Sequence, residues 1–332
     1  MVRKLASIQK ILKLTPIPNA NLIETATVLG WEVVVKKGEF NVGDLVVYME
    51  IDSLLPNKPE FEFLKSNGMR IRTIRLKGQI SQGICFPLSI LPESFVIEEG
   101  KDCTEELGVI KYEPPIPAHL AGIVKGKIPS FIPKTDETRV QVLQELLDKY
   151  TNTRCYVTEK IDGTSATFYV KDGVFGVCSR NLELLEDDTN TFWKIAREMD
   201  IENKLLSLHA NVAIQGELYG ENIQSNPINI KGQTIRFFNL FNIDRYRYYD
   251  FIELEVILRR LNLPMVPVID SNYILETNIN SIVEKSKIKS TLNPKIWAEG
   301  IVIRPYFEKY DSQYGRISFK SINPEFLLKT NQ

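Results

Sequence analysis

The chain has 332 residues, enough for two domains with cores of their own. Apolar residues make up 43% and charged residues 25%, a globular balance that excludes a disordered or fibrous chain. The net charge is −1, so no global field attracts nucleic acid, and any polyanion site must be a local patch.

Cys85, Cys103, Cys155 and Cys178 form no C-x-x-C pair, which argues for buried thiols of a reducing compartment rather than structural zinc. His119 and His209 stand apart from every other motif, so histidine acid–base chemistry is not expected. The opening MVRKLASIQK lacks the apolar stretch of a signal peptide, and no run is long enough to cross a bilayer. The expectation is a cytoplasmic protein with no membrane association and no obligate protein partner.

Residues 1 to 110 read as short strands separated by turns. Trp31 to Val35 is β-rich, Lys36-Lys37-Gly38 and Asn41 to Asp44 turn, and Leu45 to Ile51 is a further strand. Such spacing predicts a small barrel rather than a βαβ unit. From Arg70 to Phe86, Ile74, Leu76, Ile80 and Ile84 share one parity and Arg75, Lys77, Gln79 and Ser81 the other. One strand with a buried apolar face and a cationic outer face is predicted. With Arg70 and Arg72 just before it, that face is a candidate polyanion surface, such as for nucleic acid; a merely solvated face is the alternative.

Residues 111 to 126 are a proline-rich linker, with Pro114, Pro115 and Pro117, and residues 127 to 332 form the second domain. TDETRVQVLQELLDKY predicts a helix capped by Thr135/Asp136. Cys155 to Val170 and Val174 to Ser179 predict a hairpin turning at Lys171-Asp172-Gly173. Asn190 to His209 and Asp250 to Leu261 predict helices, and the remainder is strand-rich. The fold class is therefore α+β, with antiparallel sheets flanked by helices behind the barrel.

Four segments carry the chemistry: TEKIDGT (Thr158 to Thr164), QGELYG (Gln215 to Gly220), AEGIVIR (Ala298 to Arg304) and SFKSIN (Ser318 to Asn323). A free lysine has a pKa near 10.4, so about 4–5 kcal/mol separates Lys160 from its nucleophilic amine at neutral pH. Glu159 and Asp162 alone would raise that pKa; a divalent cation would reverse the effect. Asp162, Glu217 and Glu299 are enough oxygens to position hydrated Mg²⁺. Without a metal, Lys160 is an inert, ion-paired lysine. Lys320 offers a point charge for a phosphoryl oxygen, Gly163 allows close approach to a ligand, and Phe238 can stack on an adenine.

At these residues the chain resembles the covalent nucleotidyltransferase superfamily of polynucleotide ligases and RNA capping enzymes. KIDG resembles the nucleotidyl-lysine motif, followed in order by Ser179-Arg180-Asn181, GELYG, FNL at Phe238, EGIVIR and SFK. A barrel-like module preceding the lysine domain, IPSFIPKTDETRVQ, and the expectation of no further OB domain after the fifth motif make it most similar to the fifth family of ATP-dependent RNA ligases, a resemblance that implies an N-terminal OB-like module. The resemblance implies that Lys160 attacks ATP and carries AMP to an RNA 5′-phosphate, which a 3′-OH then attacks. It implies a nucleotide site of Glu159, Lys160, Arg139, Arg180, Glu217, Phe238, Glu299 and Lys320, with Arg139 on the β and γ phosphates and Lys320 on the α-phosphate. It also implies Mg²⁺ or Mn²⁺ held through water by Asp162, Glu217 and Glu299, and an RNA partner with 3′-OH and 5′-phosphate ends, nicked duplex included. One departure stands out. The fifth motif is usually Lys-x-Lys, and here it is Ser318-Phe319-Lys320. Phe241 competes with Phe238 for the stacking role. The alternatives are a capping guanylyltransferase, or an RNA-binding protein with a degenerate nucleotidyltransferase domain.

Overall fold

Valine, isoleucine, threonine and tryptophan crowd the segments Ile23–Val28, Trp31–Lys36 and Leu45–Met49, and each is a strand. In the computed structural model, which describes residues 3–112 and 123–330, they join Ala6–Pro16 and Ile84–Phe86. The result is an antiparallel five-stranded sheet in the order Trp31–Lys36, Ile23–Val28, Ala6–Pro16, Leu45–Met49, Ile84–Phe86. Trp31, Tyr48, Ile8, Ile11 and Met49 fill its interior with almost no exposed surface. Each such side chain contributes about 1.5–3 kcal/mol of burial.

Arg70 to Phe86 departs from the single strand the alternation predicts. Thr73–Leu76 and Gln79–Gln82 form a hairpin, and Ile84–Phe86 is a separate strand. The turn residues Lys77 and Gly78 both have positive φ, as a tight type I′ turn requires. Reversing there exchanges the faces. Ile74 and Leu76 are exposed and Ser81 is buried, where its Oγ accepts from Val34 N–H at 2.9 Å.

Beyond the described gap, which holds Pro114, Pro115, Pro117 and His119, two further sheets form. Val124–Lys127 already belongs to the first of them, so that sheet begins within the expected linker. This seven-stranded antiparallel sheet includes Thr164–Lys171, Val174–Cys178, Val212–Gly220 and Gln233–Asn242. The other has five strands, ordered Thr138–Arg139, Phe319–Ile322, Gly300–Pro305, Arg154–Lys160, Val268–Ile274. Its one parallel pair is Thr138–Arg139 with Phe319–Lys320.

The expected hairpin turns at Asp172 and Gly173, both at positive φ. Its first arm, however, is two strands. The chain leaves the five-stranded sheet after Lys160 and enters the seven-stranded one at Thr164. Ile161-Asp162-Gly163 makes the crossing. Gly163 is required there by packing against protein: a Cβ would lie 2.3 Å from the Leu218 carbonyl oxygen.

The helix expected from Thr135 begins only at Gln144, after the short strand at Thr138–Arg139. Tertiary partners claim the would-be cap. Thr135 Oγ1 bonds Ser165 Oγ at 2.8 Å, Asp136 pairs with Arg180, and Glu137 accepts from Arg304 at 2.9 Å. Asn190 to His209 is two helices, Thr191–Glu198 and Ile201–Leu206, broken at Asp200 with φ of 53°. Phe251–Arg260 forms as expected, with Asp250 N–H donating to Glu253 Oε2 at 2.9 Å. Ile279–Lys285 and Pro324–Thr330 add short helices that the pattern did not signal.

The barrel and the sheets are closely joined. Ile322 and Leu327 pack into the barrel core. Gly30 N–H donates to Gln141 O at 2.9 Å, and Arg75 pairs with Glu325 at 2.8 Å. None of the described helices is long and apolar enough to cross a membrane. Because Gly163 has no room for a methyl group, Gly163→Ala is expected to cost about 1–3 kcal/mol in urea unfolding. A loss under about 0.5 kcal/mol, the range of neutral surface changes, would contradict that packing.

Candidate active site

Strand Arg154–Lys160 ends in the cleft between the two larger sheets. Lys160 pairs in register with Gly300, so Glu299 sits just across from it. Lys160 Nζ donates to Glu299 Oε2 at 2.7 Å. Glu217 approaches from the seven-stranded sheet and Asp162 from the crossing, and both act on the ammonium electrostatically. Burial alone would lower the Lys160 pKa. Glu299, Glu217 and Asp162 outweigh it and raise the pKa above the ordinary lysine value. Glu217 shows the reverse side of this crowding. Burial, with Glu299 and Asp162, lifts its pKa to about 8 against the pull of Lys160.

Lys320 is cross-strand to Val302 and beside Arg139. Burial and the charges of Lys160 and Arg139 bring its pKa down to about 7, against the opposing effect of Glu299. An amine with a pKa lowered this far gains its proton readily once an anion binds beside it.

Phe238 owes its position to a bulge. Gln215 pairs with Asn239 and Gly216 with Phe237, so Phe238 has no opposite partner. The extra residue turns its ring into the cleft with Thr158, Lys160, Glu217, Val266, Val302 and Arg304. Phe241 is instead buried against Tyr248 and Tyr246, at centroid distances of 4.9 and 5.2 Å.

Other expected residues stand further from this centre. The Glu159 carboxylate is fully engaged by Ser290 Oγ at 2.5 Å, Thr291 N at 2.9 Å and Thr291 Oγ1 at 2.5 Å. Its backbone nonetheless adjoins Lys160, and the residue lines the same pocket. Arg180 pairs with Asp136 while still exerting a field on Glu217. Arg139 is paired with Asp52 of the barrel at 3.1 Å. Among the RNA-surface candidates, Arg70 is tied to Asp52 at 2.8 Å and stacked on Tyr112, and Arg72 is half-buried. Only Arg75 and Lys77 are exposed, so the four do not share one cationic face.

Arg304, the last residue of AEGIVIR, has no role that the sequence pattern alone assigns. It is almost wholly buried, donates through Nε to Ser318 Oγ at 2.9 Å and through Nη2 to Glu137 Oε1 at 2.9 Å, and lies 5.6 Å from the Phe238 ring centre. An arginine closing the apolar run GIVIR was the available signal, since a charge on a buried strand needs a partner.

Metal chemistry can be judged from the donors. Among the described residues no three Asp, Glu, His or Cys side chains converge closely enough to ligate an ion directly. Yet three crowded carboxylates face one ammonium, and one of them is driven toward protonation. That all-oxygen, anion-rich set fits a hydrated hard cation held through its waters.

Known proteins resemble the chain over both of its regions. An OB-fold domain profile matches residues 5–88, and an RNA ligase profile matches residues 153–322. The chain belongs to the RNA ligase family. It is similar over its length to Naegleria gruberi RNA ligase. One variant of that ligase with ATP and Mn is 38% identical, covers 98% of both chains and has a TM-score of 0.90. The same ligase with PPi is also 38% identical, covers 98% of both chains and has a TM-score of 0.89. A variant with AMP and Mn gives 38% identity, 98% coverage of both chains and a TM-score of 0.90. No curated protein matches. The N-terminal barrel is thus an OB fold and the architecture is α+β, as expected. An RNA ligase is an enzyme acting on RNA ends, which sets aside a capping guanylyltransferase and a non-catalytic RNA-binding protein.

A lysine whose folded pKa is lowered binds fewer protons when folded than unfolded, here between about pH 7 and 10.5. Its destabilising effect therefore fades as pH rises through that window. The unliganded ligase is expected to gain stability relative to Lys320→Met between pH 7 and 10, read as a rising difference in melting temperature. Parallel melting curves across that range would show that Lys320 titrates normally.

Proposed function

We propose that this RNA ligase uses ATP to seal 3′-OH and 5′-phosphate RNA ends, with Lys160 as the covalent carrier of AMP. The supporting observation is the Lys160–Glu299 contact at 2.7 Å, at the mouth of a pocket that Phe238 walls on one side. The base stacks on Phe238, which leaves the phosphates toward Lys160 and Lys320. Lys160 Nζ then lies where it can form the P–N bond to the α-phosphorus as the bond to pyrophosphate breaks. Lys320 neutralises the α-phosphate, and its lowered pKa means that it takes up a proton as the anion arrives.

Asp162, Glu217 and Glu299 would hold Mg²⁺ or Mn²⁺ through water. Bound there, the ion supplies the positive charge that offsets the carboxylates and favours the free amine. Glu159 acts through its hydrogen bonds, fixing the Ser290–Thr291 loop beneath the pocket. Arg180 and Arg139 complete the nucleotide site from the periphery. The strand pairing supports a division into an OB module, residues 1–110, a linker and a catalytic domain. Its starting material, an RNA with 3′-OH and 5′-phosphate ends, fits a cytoplasmic role in RNA repair.

Incubation with α-labelled ATP and Mg²⁺ or Mn²⁺ is expected to leave label on the denatured protein. Lys160→Ala should reduce it by more than about 10³-fold, since the nucleophile itself is gone. Equal labelling of the alanine variant would end this assignment. Matched RNA and DNA nicks, varied one strand at a time, identify the preferred ends.

On the OB module, Arg75 and Lys77 are the exposed cations that support an RNA contact. Their double alanine variant is expected to weaken RNA binding and to lower the salt slope by about 1–2. An unchanged slope would assign those residues to solvent.

A further inference from the structure

Two segments outside the four motifs are dense in rings and cations: Arg245-Tyr246-Arg247-Tyr248-Tyr249 and Tyr306-Phe307-Glu308-Lys309-Tyr310. The fold lays one along the other. Tyr306 O accepts from Phe251 N–H at 3.2 Å, and Glu308 N–H donates to Asp250 Oδ1 at 2.6 Å. The Tyr310 hydroxyl comes close enough to the Tyr248 backbone and to Tyr246 to feel both. The two segments therefore run in opposite directions and share one surface.

The inner rings of this surface are packed. Tyr156 stacks on Phe251 at 4.3 Å between centroids, Phe251 meets Tyr306 at 5.3 Å, and the Arg316 guanidinium lies 3.5 Å from the Tyr248 ring centre. The outer rings are not packed away. Phe307 and Tyr246 are each 62% exposed, and Tyr310 is 52% exposed. A single exposed ring is ordinary, but three on adjoining segments mark a surface that binds something.

The charges around them say what. Glu308 is matched by Arg316 at 2.5 and 2.9 Å, and Glu253 by Arg247 at 3.6 Å. Asp244 accepts from Asn211 at 3.0 Å. Arg245 and Lys309 are exposed, and among the described residues neither forms an ion pair. Arg154, also exposed, has its guanidinium 3.9 Å from the Tyr306 ring centre. Rings with unmatched cations between them suit a polymer that offers a flat base and a phosphate at every step.

The surface lies outside the nucleotide pocket yet within reach of it. Arg304 lines that pocket, and Tyr306 follows two residues later. Arg154 opens the strand that Lys160 ends, about 20 Å away at 3.3 Å per residue. About six nucleotides at 3.4 Å each cover that span.

We propose that Tyr246, Phe307 and Tyr310 form a stacking site for an unpaired RNA strand, several nucleotides from the end being sealed. Bases stack on the three rings, and Arg245 and Lys309 meet the phosphates. The inference rests on membership of the RNA ligase family and not on the chemistry assigned to Lys160.

The test uses the full chain without ATP and a fluorescent single-stranded oligoribonucleotide of about 12 nucleotides, a length that one stacking platform can hold. Phe307→Ala is expected to weaken binding by about ten-fold, and Phe307→Trp to bind within about two-fold of the parent chain. Arg245→Gln with Lys309→Gln is expected to lower the salt slope by about 1–2. A blunt RNA duplex, whose bases are already stacked, should bind Phe307→Ala and the parent chain alike. Labelling of Lys160 by ATP should stay within about two-fold in every variant, since the altered side chains are remote from the pocket. Strand binding unchanged in both Phe307→Ala and Tyr246→Ala/Tyr310→Ala overturns the proposal. Equal losses for strand and duplex, or a loss of labelling that parallels the loss of binding, do the same. So does light scattering that finds the parent chain self-associated and Phe307→Ala monomeric, which assigns the rings to a second copy. If the parent chain takes no label at all, the reading of Lys160 fails while strand binding still decides this one.

Discussion

Everything in this site depends on one imbalance: a single ammonium, Lys160, faces the carboxylates of Glu299, Glu217 and Asp162 in a poorly solvated cleft. Left alone, the arrangement makes the worst possible nucleophile, because the acids stabilise the proton that must leave. The cost is visible on both sides, in a lysine pushed up and a glutamate lifted to about 8. An arrangement this unfavourable in isolation makes sense as half of a larger one, with a cation and a polyphosphate as the other half. In the function proposed above, the fold keeps charges poised, and ATP and its metal complete them.

The backbone explains how charges of opposite origin come together. Strand Arg154–Lys160 belongs to one sheet and strand Thr164–Lys171 to the other, so three residues carry the chain across the cleft. That crossing sets Asp162 between Lys160 and the Glu217 strand. It tolerates no side chain at Gly163, because the Leu218 carbonyl occupies the space. In the seven-stranded sheet, one bulge diverts Phe238 from the alternation and leaves Phe237 in the core. A crossing and a bulge, both local irregularities in regular sheets, thus bring Ile161 and Phe238 to the same pocket.

Much of this was legible from residues alone. The motif lysine, the strand-borne glutamates and Lys320 could be read because their chemistry is carried by residue type and short spacing. The Asp172-Gly173 turn and the helix after Asp250 were legible because local backbone and capping preferences decide them. What failed was long-range. Thr135, Asp136 and Glu137 look like a helix cap, but Ser165, Arg180 and Arg304 compete for them from distant strands. The Arg70 to Phe86 alternation looked like one strand because Lys77-Gly78 preserves the parity count while reversing the chain. Nothing local to Arg70 or Arg139 announces that both end on Asp52.

The helix Pro324–Thr330 has a further meaning for how this chain is made. Leu327, with Ile322 just before it, fills part of the interior that Ile8, Trp31 and Met49 begin. The barrel's hydrophobic interior is therefore closed only when a segment from beyond the catalytic sheets has docked on it. Folding of the N-terminal module is consequently coupled to folding of the sheets that hold Lys160.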